Sequence, residues 1–102
     1  MHFDCTIKEQ PDAVLVHPAG EVDRDTAPDL RRCLTDAIHL AGTRTVEVDL
    51  ALVTFMDSSG IGTLLAGHRL ARDTAVVFRV RDAGPAVRTV LELTNVWDLL
   101  RA

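Results

Sequence analysis

The tightest constraint on this chain lies between Thr26 and Val53, where a helical apolar stripe gives way within a few residues to a β-branched run. Leu30, Cys33, Leu34, Ala37, Ile38 and Ala41 recur at helical spacing, so one face of a helix from Thr26 to about Ala41 must be buried. Thr26-Ala27-Pro28-Asp29 supplies a Thr cap, a first-turn proline and an early acid, and Gly42 supplies the stop. Thr45 to Val53, with Val46, Val48, Leu50, Leu52 and Val53, suits a central strand covered by helices. A buried helix face followed directly by a buried strand points to an α/β fold.

The flanking segments extend this pattern. Phe3, Cys5 and Ile7 alternate with Asp4, Thr6 and Lys8 as in a half-buried strand. Gln10-Pro11-Asp12 reads as a turn, and Ala13 to His17 as the antiparallel return closed by Pro18 to Gly20. From Ser58 to about Arg72 the period is helical, with Ile61, Leu64, Leu65 and His68 on one stripe and Ser58 or Ser59 as cap. Ala75 to Val80 alternates as a strand, Gly84-Pro85 opens a helix, and Val96 to Leu100 forms a short apolar end with Trp97 as packing anchor. The order β-β-α-β-α-β-α predicts a four-stranded, mostly parallel mixed sheet with one antiparallel pair and packed helices. At 102 residues this is one domain, residues 1–102.

Composition narrows the function. A formal net charge of -4 has the wrong sign for a protein held on phosphate backbones, so no direct nucleic-acid partner is expected. The first residues lack a basic and an apolar segment, and no window is apolar for the ~18 residues a membrane span needs. A cytoplasmic protein without a membrane span follows. Cys5 and Cys33 are expected as reduced structural thiols, Cys33 as a small core residue. His2, His17, His39 and His68 show no metal-ligand spacing, so neither metal nor cofactor is expected.

Chemistry concentrates in Phe55-Met56-Asp57-Ser58-Ser59-Gly60-Ile61-Gly62, at a junction from strand to helix. A nucleophile elbow would need Gly where Met56 stands, which argues against a serine hydrolase. The third glycine of a dinucleotide fingerprint is replaced by Leu65, and no Gly-Lys of a phosphate loop occurs. Two readings of the serines stay open: a helix cap, or a phosphoacceptor where backbone N–H groups already favour an anion. In the second, a phosphate beside Asp57, Glu21, Asp23 and Asp25 would change the charge that a docked partner meets.

The chain resembles the STAS domains of bacterial anti-sigma factor antagonists. The resemblance is carried by Gly20-Glu21-Val22-Asp23, Thr26-Ala27-Pro28-Asp29-Leu30, Val48-Asp49-Leu50, Phe55 to Gly62, and Leu93-Thr94-Asn95-Val96. It implies a non-enzymatic partner switch. The unphosphorylated protein would bind an anti-sigma factor that is also a serine kinase, releasing a sigma factor. Phosphorylation of Ser58 would break that complex, and a metal-dependent serine phosphatase would restore it. The resemblance implies partner contacts at Asp23, Asp57, Ser58, Ser59 and Gly60. It also admits an alternative, an unphosphorylated STAS scaffold subunit of a transporter or lipid-trafficking complex. Asn95 stands where the family often has Gly, a substitution that tolerance of positive φ allows.

Overall fold

The computed structural model describes residues 2–102. Strands β1 (Phe3–Glu9) and β2 (Ala13–Val22) form the antiparallel hairpin. Helix α1 (Ala27–Ala41) leads to β3 (Thr45–Asp49) and β4 (Val53–Met56). Then come α2 (Ser58–Asp73), β5 (Phe78–Arg81), α3 (Pro85–Leu93) and α4 (Trp97–Arg101). The sheet runs β1-β2-β3-β5 with β4 also on β2, and every pairing except β1 with β2 is parallel.

The sheet has five strands rather than the expected four, because the run from Thr45 to Val53 is broken. β3 pairs with Ala13 to Val16 of β2, and β4 pairs with Gly20 to Val22. Between them the chain turns through Ala51 and Leu52, with Val53 N–H donating to Leu50 O. The reason lies on β2. Gly20 N–H points toward the β4 side, donating to Leu52 O, so by strand alternation the nitrogen of Pro18 points the same way and has no hydrogen to offer. Beyond it the register shifts between Gly20 and Glu21, where Gly20 has φ 105°, a value that favours glycine. β2 therefore does not end near His17 as expected; it continues past Pro18 and a bulge to Val22.

Local chemistry sets the helix ends. Arg44 donates to the carbonyls of Leu40 and Ala41 at the end of α1 and to Gln10 O and Glu9 in the hairpin turn. α2 and α3 close in the same way, with a left-handed residue one place beyond the cap. Val76 N–H bonds Ala71 O around Ala75 (φ 58°), and Val96 N–H bonds Leu91 O around Asn95 (φ 62°). Asn95 thus fills the role foreseen for it. The Ala75 closure also explains why β5 begins at Phe78 rather than Ala75.

The core lies under α1 and α2, where Val14, Val16, Val46, Val48 and Val80 meet Leu30, Leu34, Ile38 and Leu64. The central strand is not covered on both sides. The alternate positions of β2, β3 and β5 carry His17, Glu47, Asp49, Arg79 and Arg81, and Arg81 pairs with Glu47 at 3.2 Å. This charged row is a wet face, and the valines of β3 alternate with it instead of forming a continuous apolar run. His68 is half-buried and meets Phe78 edge-on, their ring centroids 6.3 Å apart. Trp97 packs against the core while the Arg88 guanidinium lies over its ring, 5.0 Å from the centroid.

Candidate functional site

The Asp57 segment joins β4 to α2, and its geometry follows from one carboxylate. Asp57 has extended backbone (φ -108°, ψ -167°) and is the N-cap of α2. Its Oδ1 accepts Ser59 N–H at 2.9 Å and Gly60 N–H at 3.4 Å, while its carbonyl accepts Ile61 N–H. Neither serine is the cap, contrary to expectation, because the aspartate one residue earlier already satisfies those amides. Ser58 is the first helical residue and exposed; Ser59 is half-buried. None of the hydrogen bonds that build this turn uses the Ser58 hydroxyl.

The second half of the site is the loop into α1. Asp23 Oδ1 accepts the amides of Asp25 at 2.9 Å and Thr26 at 3.1 Å. The Thr26 hydroxyl accepts Asp23 N–H and donates to Glu21 O at 2.8 Å. Thr26 therefore makes no side-chain cap to α1; it ties the loop back onto β2. Parallel pairing of β2 with β4, Val22 opposite Met56, brings the two loops side by side. Together Asp23, Arg24, Asp25, Asp57 and Ser59 line an open depression of about 380 Å³.

Of the residues expected to meet a partner, Asp23, Asp57 and Ser59 line this depression and Ser58 stands exposed on the adjoining first turn of α2. Gly60 is different. It is buried, and a Cβ there would lie 2.6 Å from Met56 Cγ and 2.9 Å from Val22 Cγ1, so it packs the start of α2 against the sheet. Gly62 faces open space, whereas Gly67 packs against Leu34 and Phe78. The lining of the depression contains three carboxylates, one guanidinium and no histidine. Among the described residues no cluster of His, Cys, Asp and Glu could hold a metal, and no helix is long and apolar enough to cross a membrane.

The sequence matches the family described as "Mlab, STAS domain" over residues 5–101. The chain belongs to the STAS domain family. One relative of this STAS domain is the anti-sigma F factor antagonist of Paenibacillus polymyxa, 24% identical over 98% of this chain and 86% of that protein. Among solved structures, the anti-sigma factor antagonist SpoIIAA in its unphosphorylated form covers 93% of this chain and 84% of that one, with TM-score 0.77 and 23% identity. The Bacillus cell fate determinant SpoIIAA in its phosphorylated form covers 97% and 89%, with TM-score 0.71 and 22% identity. These likenesses establish the STAS fold.

One residue of the STAS surface escapes sequence reasoning. Phe55 lies two residues before Asp57 and is 47% exposed, with Leu52 at 63%. In β4 only Val53 and Met56 are buried, so Phe55 is left exposed two residues before the Asp57 that lines the acidic depression. It stands in the Phe55 to Gly62 segment that the sequence singles out, but no local pattern says that its ring is left uncovered.

Proposed function

We propose that this STAS domain is an anti-sigma factor antagonist that binds an anti-sigma factor acting as a serine kinase, and that phosphorylation of Ser58 ends the complex. The observation that carries the reading is the exposed Ser58 hydroxyl on the first turn of α2, beside a depression lined by Asp23, Asp25 and Asp57. The name borne by the Paenibacillus polymyxa relative supports the same partner class. A phosphate on Ser58 adds roughly 1.5 to 2 negative charges. The amides of Ser59 and Gly60 are already bonded to Asp57, so they do not neutralise it. The new charge is directed at the docked surface instead, beside Asp57 and three residues along the chain from the exposed Phe55, an aromatic side chain of the kind that anchors interfaces. A loss of about 2.7 kcal/mol weakens binding a hundredfold. In this reading the chain binds rather than catalyses, ATP belongs to the kinase, and a serine phosphatase resets the switch.

The test is peptide mapping of the protein from its native cells, with and without phosphatase. Phosphate on the peptide holding Ser58, absent in Ser58→Ala, is the expected result. Phosphate confined to Ser59 would sink the residue assignment. A second reading takes its support from the "Mlab" description of the matched family. An unphosphorylated protein that copurifies with the ATPase subunit of a membrane transporter would replace the switch by a scaffold subunit.

A further inference from the structure

Cys5 stands on β1 and Cys33 on α1, and the fold brings their sulfurs to 2.6 Å although they are 28 positions apart. The meeting follows from the pattern of β1: Phe3, Cys5 and Ile7 turn toward α1, and the helix offers a thiol there. Both cysteines are free and half-buried; Cys33 lies at the edge of the core and not inside it, as its place in the apolar stripe had suggested. A disulfide is about 2.05 Å long, so closing the bond needs a sulfur movement of only about half an ångström. The two thiols line an open groove of about 420 Å³ between β1 and α1, shared with Asp4, Asp29, Arg32 and Asp36.

We propose that Cys5 and Cys33 form a reversible disulfide site, oxidised by a small neutral peroxide, hydrogen peroxide. Three carboxylates against one guanidinium disfavour anionic oxidants such as large acidic disulfides, while a neutral peroxide enters without charge penalty. The Cys5 S–H donates to the Cys33 sulfur. That bond holds the Cys33 thiol below its ordinary value, against burial and the Asp36 and Asp4 charges that raise it. The same bond, followed by burial and by the charges of Cys33 and Asp4, pushes Cys5 well above the ordinary thiol value. Cys33 is taken as the attacking sulfur, and the same disulfide forms when Cys5 attacks.

In the first step the Cys33 thiolate attacks one peroxide oxygen and the O–O bond breaks. The leaving hydroxide takes up a proton as water, and Cys33 becomes a sulfenic acid. In the second, the Cys5 sulfur attacks Cys33, the S–O bond breaks, and the hydroxyl leaves with the Cys5 proton as a second water. Two thiols have lost two electrons and two protons, and one peroxide has become two waters. An added dithiol reverses the bond by exchange. The product staples β1, at the end of the sheet, to the helix that packs on it.

The test uses the whole chain treated with hydrogen peroxide, then unfolded in urea with N-ethylmaleimide, and weighed intact. Reduced protein takes maleimide on both thiols. Oxidised protein is expected to take none, to stay monomeric on a non-reducing gel, and to recover both sites with dithiothreitol. The oxidised form is expected to melt at least about 10 °C higher, because the bond constrains the unfolded chain. Amides of β1 should also exchange more slowly. In Cys5→Ser the sulfenic acid should persist and react with dimedone. Maleimide on both thiols after peroxide, disulfide-linked dimers in place of a closed monomer, or an unchanged melting temperature would each overturn the proposal.

Discussion

Helices α1 and α2 begin beside the same depression, and each has an aspartate fastening the chain that leads into it, but the two starts are not equally self-sufficient. α1 opens with Ala27-Pro28-Asp29, where proline presets the backbone and an acid meets the helix dipole. Asp23 acts at a distance, bonding the amides of Asp25 and Thr26 before the helix begins. α2 opens with Ser58-Ser59-Gly60, all weak helix formers, and has no acid in its first turn. Its start rests on Asp57 and on the fit of Gly60 against Val22 and Met56. The lesson is that the turn bearing the exposed serine is held by its neighbours, which leaves Ser58 free of structural duty.

This contrast can be broken by substitution. The largest effect is expected at Gly60→Val, where branched carbons would overlap Met56 and Val22; a loss of ~2–3 kcal/mol should appear in urea unfolding. A midpoint like that of the wild type would mean that Gly60 is not fixed by packing. Next, Asp57→Ala should cost ~1–2 kcal/mol and Asp23→Ala only ~0.5–1, since α1 keeps its proline and acid. Equal losses would erase the distinction between the two starts. Gly62→Ala, which meets open space in mid-helix, should stabilise by ~0.5–1 kcal/mol. Ser58→Ala should change stability by less than ~0.5 kcal/mol while abolishing phosphate incorporation. A larger destabilisation would show that the hydroxyl helps to hold the turn.

The two faces of the sheet explain how far pattern reading reached. Helices α1, α2 and α3 lie where their apolar stripes and the prolines Pro28 and Pro85 predicted, although the side-chain caps expected of Thr26 and of Ser58 or Ser59 do not form, and the hairpin turn at Gln10 to Asp12 is where its proline and aspartate suggested. The alternation of Val46 and Val48 with Glu47 and Asp49 was also present in the sequence. A parallel strand in an α/β fold is usually buried, which is what makes the run suggest a central strand covered by helices, whereas the ion pairs that wet the second face join residues from different strands.

By itself, the sequence determined the elements whose signals are short-range: helical stripes, proline starts, strand alternation, and an Asp-Ser-Ser-Gly segment between a strand and a helix. Tertiary structure decided what depends on partners far along the chain. Pro18 and the Gly20 bulge on β2 divided the Thr45–Val53 run, because a strand persists only where its neighbour offers hydrogen bonds. Pairing of Val22 with Met56 set the Asp23 loop against the Asp57 turn and so formed the acidic depression. The competition between Asp57 and the serines for the first amides of α2 was settled by backbone conformation, which left Asp57 as cap and Ser58 exposed. The Cys5–Cys33 meeting has the same origin: no local pattern encodes it, since it exists only when β1 lies under α1.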